Sequence, residues 1–231
     1  MGGVNVKNTM IEALMQIVAP HLCFGCGKTG TTVCDNCKYH ITSEPFTGCI
    51  LCGKISQLGI CAQHDTPICK AWVVSERRDI LKTTIHAYKF KYVKAAAQPL
   101  ADMLDTSLPY LPSNTIVVPI PTSPAHIRER GFDHIHRVAR LLAKQRAMPV
   151  SLALTKSSSI TQHRLNKNDR QREAKSAFII NEAVSIDTNT PVLLLDDVIT
   201  TGSTIKSAAQ VLSNAGVKTI FVAALAYQPL D

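Results

Sequence analysis

PVLLLDDVITTGSTIKSAAQVLSNAGVKTIFVAALAY, residues 191–227, reads as strand, turn, helix, strand. Val192–Leu195 is apolar at every position, which suits a strand buried on both faces rather than one with a wet side. Helical spacing runs over 203–216 and closes on Gly216, a residue favoured just past a helix C-terminus. A second apolar strand follows over 217–227. Strands joined through a helix lie parallel, with helices covering the sheet. Ligands of such sheets bind at the carboxyl ends of the strands, here Asp196-Asp197 and the turn to Thr204. Hydroxyl residues and one glycine at a strand-to-helix turn form an anion cup, with N–H groups inward and the helix dipole favouring negative charge. The lysine of a GxxxxGK[ST] loop is missing. Adjacent carboxylates suit the two hydroxyls of a ribose, or a metal, so a sugar 5-phosphate fits both halves. The plainer reading makes Ser203 a helix cap; it leaves the acidic pair unexplained.

The same alternation extends upstream. Strands are predicted at 71–74, 115–121, near 150–154 and at 178–180, and helices at 77–90, about 95–104 and 134–147. A polar stretch covers 157–176.

All eight cysteines lie between Cys23 and Cys69. Cys23-x-x-Cys26 and Cys34-x-x-Cys37 supply four thiolates with the spacing of a closed, tetrahedral Zn²⁺ site. Gly25 and Gly27 ease the tight backbone there. Cys49-x-x-Cys52 is followed by Cys61-x-x-His64, which predicts three cysteines and one histidine; Cys69 in place of His64 is the alternative. Disulfides or free thiols are the competing reading, disfavoured in a reducing compartment. Four strong ligands leave no open position, so both zincs are expected to be structural. His21 and His40 read as surface residues. Two tandem ribbons explain how a segment with almost no core can fold.

The 231 residues are 45% hydrophobic and 18% charged, which excludes wholesale disorder. No apolar run reaches the ~18 residues of a membrane span. MGGVNVKNTMIEALMQIVAP has helical apolar spacing and lacks the pattern of a signal peptide. It reads as an amphipathic helix ending at Pro20, in a cytoplasmic protein. The formal charge of +8 suits an anionic partner. Residues 71–150 hold 12 Lys/Arg against 6 Asp/Glu, so the excess sits mainly downstream of the cysteines.

LLLDDVITTGSTI resembles the phosphoribosyl-pyrophosphate (PRPP) signature of type I phosphoribosyltransferases. With the apolar N-terminus, the paired cysteines, IHAYKFKY (85–92), VVPIPTSPAHIRERGF (117–132) and QHRLNKNDRQREAKSAF (162–178), the chain resembles the ComF family from end to end. The resemblance implies an α/β fold: a parallel-sheet, type I phosphoribosyltransferase-like domain over 70–231, preceded by a double zinc ribbon over 21–69 and the helix of 1–20. It implies that Asp196 and Asp197 hold the ribose 2′- and 3′-hydroxyls. Thr200, Thr201, Gly202, Ser203 and Thr204 would wrap the 5-phosphate. Four positions depart from the family pattern: Asp133 and Glu173 stand for a usual Asn, Ser176 for Gly, and His64 for Cys. The first three put acidic or bulkier groups near the expected site; the last is compatible with zinc.

Phosphoribosyl transfer forms a cationic sugar and a highly charged leaving group, so the site must orient the ribose and neutralise pyrophosphate. Mg²⁺ and cations serve the second need. Candidates are Lys89, Lys91, Arg128, Arg130 and Arg170, with Arg128 and Arg130 preferred because they follow the 119–122 strand end. His126, His134 and His136 lie close by and read as ordinary surface or helix histidines. The expected role is natural transformation, the uptake of DNA, by a protein that binds PRPP or a ribose 5-phosphate ligand with Mg²⁺ and acts as a phosphoribosyltransferase. The alternative is a non-catalytic PRPP sensor or a single-stranded-DNA module working with competence proteins. Aromatic content of only 5% argues against a base-stacking platform. A PRPP-binding transcription regulator is a third reading, without a visible helix-turn-helix.

Overall fold

The computed structural model describes residues 20–157 and 177–229. The predicted helix of 1–20, Arg170 and the departures at Glu173 and Ser176 lie outside the described residues. In chain order the elements are α1 (Asp35–Thr42), β1 (Ile68–Glu76), α2 (Asp79–Phe90), a 3₁₀ turn (Lys94–Ala96), α3 (Ala97–Ser107), β2 (Ile116–Pro119), α4 (Pro124–Arg130), α5 (His134–Gln145), β3 (Leu154–Lys156), β4 (Phe178–Ile180), β5 (Val192–Ile199), α6 (Ser203–Asn214) and β6 (Ile220–Tyr227).

Four strands form one sheet in the order β1-β6-β5-β2. Every pairing in it is parallel. The apolar run of β5 is the reason: Val192, Leu193, Leu194 and Leu195 are all fully buried. Leu193 and Leu195 pack with α2, α3 and α5 on one face. Val192 and Leu194 pack with α6 on the other, as the two-residue period of a strand requires.

The cysteine segment adds to both faces. Cys23, Val33, Cys37 and Ile41 join the core of the α2–α3–α5 face. Ile50, with Phe46, Leu51 and Ile60 against it, joins the core of the α6 face.

The strand predicted near 150–154 is different. Val150 makes one parallel bridge to Val117. The chain then leaves the sheet, and Leu154–Lys156 pairs antiparallel with Phe178–Ile180. Neighbouring segments can pair antiparallel directly, whereas a parallel partner needs a crossover. Two helices escaped the sequence reading. Helix α4 starts with Ser123 accepting from His126 N, has Pro124 in its first turn, and stops at Gly131 with φ +72°. Helix α1 starts at a cysteine, whose metal-ligand spacing hides its helical periodicity.

Candidate functional site

Strand β5 runs on to Ile199, so the acidic pair lies within the strand rather than at its end. Its neighbour β2 stops at Pro119, opposite Leu195. The pair therefore sits where the sheet loses one strand and opens.

Asp197 is 7% exposed, and both of its oxygens are engaged. Oδ1 accepts from Val198 N at 2.6 Å. Oδ2 lies 2.7 Å from Lys89 Nζ, near the end of α2. It also lies 2.5 Å from His134 Nε2, at the start of α5. Arg130 NH1 is 3.1 Å from His134 Nδ1. A guanidinium only donates, so Nδ1 accepts and Nε2–H donates to Asp197. Tyr88 OH donates to the His134 carbonyl at 2.8 Å. Arg130 is itself buried and lies over the Phe90 ring. Asp133 caps α5 by accepting from His136 N, and also accepts from Thr122 Oγ1 at 2.9 Å.

Asp196 is half-buried and accepts from Asp197 N at 2.8 Å. Burial, then the Asp197 charge, push its carboxyl up to about 8; the Asp197 N–H, Lys89 and Lys156 only partly offset this. Burial also opposes ionisation of Asp197, but the His134 hydrogen bond and Lys89 outweigh it and hold that carboxyl well below the usual range. The two acids are therefore driven apart: Asp197 is held charged and fixed, and Asp196 holds its proton more tightly than an ordinary carboxyl.

Beyond the acids, Thr200, Thr201, Ser203 and Thr204 are exposed. Gly202 is buried with φ +68°, a conformation that favours glycine. Thr201 Oγ1 accepts from Ser203 N at 3.3 Å. Of the expected cations, Arg128 and Lys91 are exposed, while Lys89 and Arg130 are committed to Asp197 and His134. Sequence reasoning missed His134 as a member of this group. The available signal was its place: straight after the Gly131 stop and the Asp133 cap, at the same sheet edge.

The cysteines gather as the spacing predicts. One ligand atom each from Cys23, Cys26, Cys34 and Cys37 lie within 4.8 Å of one another, as do those of Cys49, Cys52, Cys61 and His64. These two groups could hold metal ions. Both pairs sit in C-x-x-C-G turns, with Gly27 and Gly53 at φ +74°. Cys34 N points at Cys23 Sγ and Leu51 N at Cys49 Sγ, each at 3.4 Å. Burial pushes the Cys23 thiol up, but N–H groups of Cys34, Cys26 and Gly25 overcome it and bring it to about 6. Burial and the neighbouring thiols push Cys37 up to about 12. Four sulfurs this close repel when all are ionised, and a divalent cation removes that repulsion. At the second group, His64 Nε2 is buried without a hydrogen-bond partner. A metal is the ligand that such a nitrogen suits. Cys69 is exposed and apart from both groups. No helix among the described residues is long and apolar enough to cross a membrane.

Comparison with known proteins agrees with this architecture. Residues 133–231 match the family model of the phosphoribosyl transferase domain. Competence protein F of Haemophilus influenzae is 28% identical over 211 residues, covering 84% of this chain and 90% of that protein. DNA utilization protein YhgH of Salmonella typhi is 32% identical over 175 residues, covering 71% and 74%. Competence protein ComFC of Bacillus subtilis is 25% identical over 206 residues, covering 82% and 81%.

Proposed function

The chain belongs to the ComF family of competence and DNA-utilization proteins, and on that premise we propose that it binds PRPP or a ribose 5-phosphate ligand with Mg²⁺ and transfers the phosphoribosyl group. The observation that carries this reading is the division of labour in the acidic pair. Asp197 is fixed by Lys89, His134 and Val198 N. Asp196 keeps its capacity for a ribose hydroxyl, and the exposed hydroxyls of Thr200–Thr204 follow directly for the 5-phosphate.

In this reading Lys89, His134 and Arg130 act through Asp197 as positioning residues. Among the described residues, Arg128 and Lys91 remain the free candidates for pyrophosphate. Mg²⁺ would be held chiefly by the ligand's phosphate oxygens, and would supply charge neutralisation. The chain's own residues orient the ribose C1 and keep the acidic edge from repelling the ligand. Calorimetry with PRPP and Mg²⁺ tests the assignment. Asp196→Ala should weaken binding about tenfold or more, and equal affinity in both proteins would sink it. Pyrophosphate release across a set of nucleobases then separates turnover from sensing.

A second reading, handling of single-stranded DNA, is favoured by one surface. Phe90 and Tyr92 are 52% and 46% exposed. Exposed Lys91 and Lys94 adjoin them in the chain, and Lys94 lies over the Phe132 ring. Exposed aromatic rings and lysines thus lie together in this segment, which suits stacking plus phosphate contact. DNA binding there should weaken steeply with salt.

A further inference from the structure

The second cysteine knuckle and the Thr200–Thr204 loop are in direct contact. A Cβ placed on Gly202 would come within 2.5 Å of Leu51 Cδ2 and 2.7 Å of the Ile50 carbonyl oxygen. Ile50 and Leu51 are the two residues between Cys49 and Cys52. The loop glycine therefore answers two demands: a left-handed backbone, and a surface flat enough for the knuckle to lie on. Ile50 is fully buried, so this contact is part of the core. Next to it, Phe46 stacks on Tyr227 at the end of β6, with centroids 4.1 Å apart.

Between knuckle and loop lies a cleft of ≈ 570 Å³. Thr200 and Thr201 form its loop side, and Cys52, Gly53 and Lys54 its ribbon side. Lys54 is its one lysine or arginine, and Glu76 its one carboxylate. Lys54 is exposed and forms no ion pair among the described residues; its Nζ makes a 3.4 Å hydrogen bond to Gln63. Its backbone is fixed, because its carbonyl accepts from Cys49 N at 2.7 Å. The loop offers hydroxyls and N–H groups but lacks the lysine that phosphate-binding loops of the GxxxxGK[ST] type carry. Lys89 and Arg130 are committed to Asp197 and His134.

We propose that the second ribbon is a wall of the ligand site: its Cys49–Cys52 knuckle holds the Thr200–Thr204 loop in shape through Gly202, and Lys54 supplies the side-chain cation for the phosphoryl group bound on that loop. This rests on the reading of the loop as a ribose-phosphate site. It assigns the ribbon metal an indirect role in ligand binding, since the ligands that organise the knuckle also set where Lys54 stands. A phosphoryl dianion beside one ammonium is a charge-assisted contact, and its strength falls with ionic strength where it is exposed.

The test uses full-length, zinc-loaded protein and titrates ribose 5-phosphate, and PRPP with Mg²⁺, by calorimetry. Lys54→Gln should weaken both about tenfold at low salt, with the difference shrinking as salt is added. Glu76→Gln should leave affinity unchanged or tighten it. If Asp196→Ala loses binding while Lys54→Gln matches wild type, the ribbon's role is overturned and the ribose-phosphate reading stands. If wild type binds neither ligand, both fall together. A second measurement needs no ligand: amide hydrogen exchange in Cys61→Ala. Faster exchange over 200–206 with β1 and β5 unchanged supports the coupling. Loop exchange that stays at the wild-type rate while the ribbon loses protection overturns it.

Discussion

The two C-x-x-C-G knuckles meet the sheet domain by the same device with the roles exchanged. In the first, the residue before the second cysteine is Gly25. A Cβ there would lie 2.6 Å from Ile80 Cδ1, so the knuckle gives up a side chain and α2 fills the space. In the second, the equivalent residue is Leu51, and the glycine is on the domain side, at position 202. The first contact ends on a helix of the core, the second on a loop at the open end of the sheet. The lesson is that one knuckle motif can be built into the core on one face and, on our proposal, into a ligand site on the other. The acidic pair follows the same division. Asp197 faces α2 and α5 and is locked, while Asp196, one residue earlier, accepts only from the Asp197 N–H among the described residues.

The largest effect should come from the first ribbon. Cys23 and Cys37 are 3% and 4% exposed and belong to the core of the α2–α3–α5 face. Cys23→Ser removes a ligand and leaves a polar group in that core. Thermal unfolding should shift down by roughly 10 °C, corresponding to about 3 kcal/mol or more. The matching change in the second ribbon, Cys52→Ser, should cost less stability but more affinity for ribose 5-phosphate. Equal losses of both kinds in the two variants would break the contrast between the knuckles.

Lys89→Met comes next, and it sharpens the contrast between the acids. It leaves the buried Asp197 carboxylate with His134 and Val198 N alone. Removing one partner of a buried ion pair costs about 3 kcal/mol, read as a fall in the urea midpoint with an unchanged slope. Lys91→Met, two residues away on the exposed side, should leave the midpoint where it is. If both variants behave alike, Lys89 is a solvated cation and Asp197 is held by His134 and Val198 N without it.

How much of this was readable in the sequence depended on distance along the chain. The metal groups are local: each pair is separated by two residues, and the spacing alone dictates a knuckle. The acid pair and hydroxyl loop are contiguous, and the apolar run before them fixes a parallel strand. The locking of Asp197 is not local. His134 is 63 residues away and Lys89 more than a hundred, and their meeting requires β2 to stop early and α4 to turn on Gly131. Arg130 shows the same limit. Its sequence position beside Arg128 suggests a pair of free cations, but a seven-residue helix turns one arginine inward against His134 and Phe90 and leaves the other in solvent. The place of Leu51 against Gly202 could not be read either, since nothing in a C-x-x-C spacing says which surface the knuckle will meet.

The smallest effect is a pH dependence, and it bears on the acids directly. The Asp196 carboxyl is raised to about 8 by burial and by Asp197, against about 3.9 in an unfolded chain. A group that binds its proton more tightly when folded gives its full stabilisation at low pH and loses it as pH rises toward the folded value. Asp197 is shifted the other way, so its contribution is complete above about pH 4 and fades only in acid. Between pH 5 and 8 the two do not overlap, and only Asp196 titrates. Wild-type stability should therefore decline over that window through Asp196, and Asp196→Asn, which cannot ionise, should flatten the decline. The melting temperature of the variant should gain on wild type as pH rises from 5 to 8. A gap that stays constant with pH would mean that Asp196 is already ionised beside Asp197, and the two acids would then share one role instead of dividing it.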